Sequence, residues 1–223
     1  EVQFLRLASV NYSNNYWESQ GVRGTGVWDL GWGFNVPTEE LVNAYEVNDP
    51  RKEATILFSG QNEGNGLTLP ASPPLAQPYW NKKAYTTPSI RQGYGQNKNH
   101  WINIKILRYA DVILMAAEAA NELGNSATAS GYIEMIRARA RGNNASILPK
   151  VTAMDQSSLR DAIKQERRIE FAMEGERFYD LVRWGDAENV LGGLGYQSRS
   201  QFYPIPQTAI DQSGGVLIQN PNY

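Results

Sequence analysis

The chain has 223 residues, 41% of them hydrophobic and 11% aromatic, which is enough apolar material for a real core. Its 23 acidic and 21 basic residues leave a net charge of −2, so the composition offers no basic footprint for nucleic acid or an anionic membrane surface. The lack of cysteine excludes a disulfide scaffold and any thiolate metal or redox site, and no apolar run reaches the length of a membrane-spanning helix.

From the N-terminus, the first informative stretch is 11–34, where Tyr12, Tyr16, Trp17, Trp28 and Trp32 lie among Asn14, Asn15, Arg23 and five glycines. Flat apolar rings beside amide and guanidinium donors suit a sugar, because the rings stack on pyranose C–H faces while the donors bond hydroxyls. Trp17 and Trp28 are read as stacking platforms, with Tyr16, Asn14, Asn15 and Arg23 beside them. Trp32, held between Gly31 and Gly33 close to the next helix, is read as structural. The competing reading is that the tryptophans anchor long loops to the core.

A helix is predicted over 37–46, with Pro37 in its first turn and Glu39 and Glu40 where the helix dipole favours acids. Residues 47–104 are rich in Gly, Pro, Asn and Gln and show little periodicity, and so long an irregular stretch usually means function or disorder. The aromatic residues Tyr79, Trp80, Tyr85, Tyr94 and Trp101 argue against simple disorder. Trp80 and Tyr94 join the candidate ligand set. The next helix, 105–123, is apolar around most of its circumference, with a polar stripe limited to Arg108, Asp111, Glu118 and Glu122, and should be buried on more than one side. Gly124 ends it and Ser126 is positioned to cap a second helix, whose stripe is Ala129, Ile133, Ile136 and Ala140. The pair reads as a tetratricopeptide-like helical hairpin, a unit that needs neighbours to cover its faces.

The run 158–185 contains a contradiction. On a helical wheel its apolar face is Leu159, Ala162, Ile163, Ile169 and Met173, and Glu166 and Glu170 fall in the middle of that face. Two inward carboxylates require cations, and Arg167, Arg177 and Arg183 are the nearest in sequence. Gly175 permits a turn before the Arg-Phe-Tyr-Asp-Leu-Val-Arg-Trp segment.

The Glu-Arg-Arg-x-Glu-Phe-x-x-Glu-Gly-x-Arg-Phe-Tyr-Asp-Leu-x-Arg-Trp-Gly pattern at 166–185 resembles the signature of the SusD/RagB family of outer-membrane nutrient-binding lipoproteins. Glu1–Phe4 resembles the family's first strand here, and 37–46 with Asp49-Pro50-Arg51 its first helix in this half. Residues 107–122, 202–207 and 219–223 resemble later family stretches. Small departures are Met115 ahead of Ala-Ala-Glu118, where tyrosine often precedes Ala-Glu, and Asn222, where glycine is usual. The resemblance implies a mainly α fold of tetratricopeptide-like hairpins with long irregular loops and a few short strands, forming one C-terminal region over 1–223. The family's lipidated cysteine and N-terminal helical repeats are expected to lie outside this chain. It further implies a non-enzymatic, cell-surface protein that captures oligosaccharide or polysaccharide and delivers it to a SusC-like TonB-dependent transporter. Contact with the outer membrane would run only through an upstream lipid anchor. A peptide-binding member of the same family is the nearest alternative, and a glycoside hydrolase a more distant one.

Other chemistry finds little support. Glu166 and Glu170 have the approximate separation of a retaining glycosidase pair, but the arginines around them favour salt bridges. His100 is the single histidine and has no nucleophile elbow beside it, and Gly21–Gly26 lacks the strand–helix setting of a phosphate loop. No cofactor is expected. Asp49, Asp111 and Asp155 lack calcium-loop spacing, though a surface loop could still take calcium.

Overall fold

The structure is a computed structural model that describes residues 15–64, 66–72, 75–94, 102–152 and 155–223. The strand expected at Glu1–Phe4, and Tyr12, Asn14, His100 and Trp101, lie outside the described residues, and of 92–94 only the backbone is described. The fold is mainly α, with short strands, as the sequence predicts. The described residues fall into two compact units divided between Glu174 and Gly175.

The first unit opens with α1 (Asn15–Gln20), α2 (Glu39–Asn43) and α3 (Pro50–Thr55). Helix α2 is shorter than 37–46: Thr38 is its N-cap, accepting from the Leu41 N–H, so Pro37 precedes the helix. Asp49 caps α3 in the same way, and Pro50 stands at the first helical position, where its missing N–H costs nothing.

The described part of the region read as irregular is folded. Strand β1 (Ile56–Phe58) pairs antiparallel with β4 (Tyr79–Asn81), placing Leu57 opposite Trp80 and Phe58 opposite Tyr79, and β2 (Asn62–Gly64) pairs with β3 (Leu67–Thr68). Strands of two or three residues are too short to show a period. What holds them is a core of Val22, Trp28, Leu30, Leu57, Leu69, Leu75 and Trp80. Helix α4 (Pro88–Tyr94) follows β4.

Helices α5 (Tyr109–Glu122), α6 (Ser126–Arg141) and α7 (Gln156–Glu170) form a helical layer. Asn125, one residue before Ser126, is the α6 N-cap. Ala117, Ala129, Ile133, Leu159 and Ile163 pack at one end of the layer. Ala110, Ile113, Leu114, Ile136 and Phe171 pack at the other. Asn121 and Gln156 exchange side-chain-to-backbone hydrogen bonds of 3.0 and 2.8 Å, tying the end of α5 to the start of α7. Ile169 and Ala172 continue into a cluster with Val42, Tyr45 and Ile56, which joins the layer to the loop-rich part.

Among the described residues of this chain α5 is covered on one side only, so the second apolar side is the face for which the sequence calls for a neighbour. The helix buries Ala110, Ile113, Leu114 and Ala117, but its other apolar face, with Tyr109, Val112, Met115 and Leu123, is exposed. Both faces are apolar because acids occupy only the narrow strip at Asp111, Glu118 and Glu122.

In the second unit, α8 (Arg177–Trp184) is closed by Gly185 in the left-handed conformation, and α9 (Ala187–Leu191) and α10 (Gln207–Gln212) follow. The motif stretches 202–207 and 219–223 bind one another: Gln219 bonds both backbone groups of Ile205, Asn220 donates to the Tyr203 carbonyl, and the Tyr223 hydroxyl donates to the Phe202 carbonyl at 2.8 Å. Asn222 has φ 70°, which explains the departure noted above: the position needs a left-handed residue, and asparagine is the side chain that best replaces glycine there.

Candidate ligand-binding surface

The chain crosses itself where α1 ends. Gly21 and Gly31 meet so closely that a Cβ on Gly31 would fall 1.9 Å from the Glu18 carbonyl oxygen, and one on Gly21 would fall 2.3 Å from that of Leu30. Only glycine allows this approach. Backbone hydrogen bonds then run from Leu30 to Val22, Trp32 to Glu18, Gly33 to Gly21 and Phe34 to Ser19, at 2.8–3.0 Å. Beyond them the Gln20 side-chain oxygen accepts from Asn35 at 2.7 Å and from Asn81 at 2.9 Å. Segment 30–35 is thus fixed to α1 and β4 along its whole length.

This clamp carries Trp32 and Phe34 on the surface, 44% and 60% exposed. Their rings lie 6.3 Å apart at 76°, so they present two nearly perpendicular apolar faces. Gly33 between them has φ +74° and sits over Trp80, and the base of Arg23, an exposed residue, lies against it. The result is a rigid aromatic ridge with a cation at its foot.

The sequence candidates divide sharply. Trp17, Trp28 and Trp80 are 5%, 7% and 0% exposed, so the rings read as platforms are wall and core. Trp80 donates its indole N–H to the Ser59 hydroxyl at 2.9 Å, and Trp28 carries the buried Arg91 guanidinium 5.7 Å from its ring centroid. Tyr16, Asn15 and Arg23 are exposed, Tyr16 edge-on to Trp17 at 4.8 Å. Asn14 lies outside the described residues, as does the Tyr94 side chain. Trp32, read as structural, is on the surface instead. The usable signal was the glycine on either side, which marks a close backbone approach that leaves the ring between them nowhere to go but outward.

A second feature lies beside the ion cluster of α7. Glu166 and Glu170 are buried at 3% and 4% exposure, as the wheel predicts, and within the first unit their cations come from elements far from α7 in sequence rather than from the neighbouring Arg167. Glu166 accepts from Arg51 at 2.5 Å and Arg137 at 3.1 Å, while Glu170 accepts from Arg108 and Arg139, each at 2.6 Å, and from Arg51 at 3.3 Å. A residue next in sequence points about 100° away on the wheel, so the cations must come from other elements. Arg167 instead bonds Asp111 at 2.7 Å, and Arg183 bonds Asp180 at 2.9 Å. Burial pushes the Glu170 carboxyl up, but hydrogen bonds from Arg139 and Arg108 outweigh it and hold it at about 2. A carboxylate so firmly ionised and occupied is a structural ion partner and a poor proton shuttle.

Next to this cluster is a cleft of about 330 Å³ with Tyr16 and Trp17 in its wall. Its remaining lining includes Arg51, Lys83, Lys105, Arg108 and Arg139 together with Glu170 and Glu174. Lys83 bonds Glu174 at 2.5 Å, yet burial still depresses its pKa. The Trp17 indole N–H is buried with no acceptor among the described residues. The cleft therefore holds more donors than acceptors.

The aspartates weighed for calcium have other duties: Asp49 and Asp155 cap helices and Asp111 pairs with Arg167. Among the described residues no group of three or more His, Cys, Asp or Glu side chains could hold a metal, and no helix is long and apolar enough to cross a membrane.

Comparison with known proteins places this geometry in context. The model of the SusD family matches residues 2–201. The curated SusD-like protein P2 of Formosa agariphila is 28% identical over 98% of this chain and 46% of its own length, and SusD-like protein P25 of the same organism is 33% identical over 75% of this chain and 29% of its own. Among solved structures, a laminarin binding SusD-like protein superposes with a TM-score of 0.71 at 31% identity, over 95% of this chain and 44% of that one. Surface glycan-binding protein A from Bacteroides thetaiotaomicron superposes at 0.67 and 25% identity, over 93% and 46%. The chain spans less than half the length of each of these relatives.

Proposed function

Because the chain belongs to the SusD family, we propose that it captures a glycan at the cell surface by binding alone, and that the whole protein hands the glycan to a SusC-like TonB-dependent outer-membrane transporter. On this reading the protein is held at the outer membrane by a lipid anchor upstream of the sequence described. The observation that carries the binding role is the rigid Trp32–Phe34 ridge with Arg23 at its foot. Two exposed rings on a preformed backbone can meet the C–H faces of a sugar chain without an ordering cost, and a guanidinium beside them can bond hydroxyls. Two structural neighbours, a laminarin binding SusD-like protein and a surface glycan-binding protein, support the same class of ligand.

Calorimetric titration with laminari-oligosaccharides and a panel of other neutral glycans tests this. Trp32→Ala or Phe34→Ala should weaken binding by about 1 kcal/mol or more with little change in stability. Trp80→Ala is the contrasting control, expected to cost about 3 to 5 kcal/mol of stability because it empties a core position. Unchanged affinity in the Trp32→Ala, Phe34→Ala double variant would remove the ridge from the site. Binding of peptides but of no glycan would transfer the reading to a peptide ligand.

A further inference from the structure

The cleft beside α7 is separate in character from the aromatic ridge, and its charge is unbalanced. Of the five cations in its lining, Arg51 is spent on Asp49 and Glu166 at 2.8 and 2.5 Å. Four cations then face two carboxylates, Glu170 and Glu174. The surplus lies at the accessible end. The Glu170 side chain is 3% exposed and enclosed by guanidinium groups, whereas the Arg139 side chain is 56% exposed and Lys105 is exposed with no ion pair among the described residues. Lys83 and Arg108 keep 22% and 23% exposure behind them. A surface that sequesters its carboxylates and leaves its cations reachable attracts anions.

The cleft also has an apolar side. Tyr16 is 38% exposed, lines the cleft, and has its ring set edge-on to Trp17. A volume of about 330 Å³ is at the small end of ligand pockets, the scale of one ring-sized group with its substituent. We infer that this cleft takes an anionic sugar residue, one bearing a carboxylate or a sulfate, with Arg139 and Lys105 meeting the charged group and Tyr16 the ring. The inference rests on the glycan-binding reading above and gives it a second subsite selective for charge. The depressed Lys83 agrees with it, since an anion bound nearby would restore what burial takes away.

The test uses oligogalacturonate, its fully methyl-esterified counterpart, and a sulfated carrageenan oligosaccharide, each titrated into the chain at low and high salt. The free acid should bind about tenfold more tightly than the ester, and salt should erase the difference. Preference for the sulfated probe with none for the uronate would identify sulfate as the anionic group and uphold the proposal. Lys105→Ala should weaken the charged probe about fivefold with an unaltered melt, because Lys105 has no ion pair among the described residues, and Arg139→Gln should weaken it more. Equal affinity for acid and ester with no preference for sulfate, or Lys105→Ala without effect on the charged probes, would overturn the proposal. The neutral laminari-oligosaccharide titration with Trp32→Ala judges the glycan reading separately, so failure of one leaves the other measured in its own right.

Discussion

Replacing Glu170 by glutamine keeps the shape of the side chain and removes its charge, so the variant isolates what the buried carboxylate contributes. In the native fold this side chain is 3% exposed and accepts from Arg108, Arg139 and Arg51. Without it Arg51 keeps Asp49 and Glu166, Arg108 keeps Glu174, and Arg139 is exposed enough to return to water. Because every cation retains a partner or a solvent route, the loss should fall at the low end of the range for breaking a buried ion pair, about 3 kcal/mol. Proton linkage leads to a similar figure: a carboxyl held at about 2 against an ordinary 4.5 contributes about 3 kcal/mol at neutral pH. The sign follows from the depressed pKa. The contribution is fully present above pH 4.5 and is lost as pH falls through about 2. Urea denaturation of both proteins at pH 7, 4 and 2.5 should therefore show a gap of about 3 kcal/mol that narrows toward the acid end, while carboxylates common to both cancel. A Glu170→Gln protein as stable as wild type at pH 7, or a gap that stays constant down to pH 2.5, would refute the account of this cluster.

Two further outcomes follow from the packing. Gly31→Ala places a Cβ 1.9 Å from the Glu18 carbonyl, backbone against backbone, so it should cost about 2 kcal/mol or more by chemical denaturation; a neutral result would mean that the crossing has room. The exposed apolar face of α5 should make the chain bind a hydrophobic dye, and Val112→Lys with Met115→Lys should abolish that fluorescence, whereas a dye-silent native chain would show the face to be covered.

Much of the helical layer was legible because it obeys one period. The inward placement of Glu166 and Glu170, the stripe through Ala129, Ile133 and Ile136, and the stop at Gly124 are local consequences of helical geometry, and the family motif repeats that information as a pattern. The loop-rich part was not legible, because β1 to β4 are shorter than any period and are held by residues as distant as Val22 and Leu75.

The same division runs through the site. By itself the sequence determined that two carboxylates must be buried and paired, and that aromatic residues cluster near glycines. Only the tertiary structure decided the partners, since Arg51 reaches Glu166 and Glu170 from more than a hundred positions away, and a wheel carries no information about other elements. It also decided which rings face outward. Trp28, Trp80 and Trp32 have the same chemistry, but the first two lie over Leu57 and Leu69 in a core, while the Gly21–Gly31 crossing presses the backbone of Trp32 against α1 and leaves its ring on the surface. Burial of an aromatic depends on what the rest of the chain places over it, and that is a property of the assembled fold.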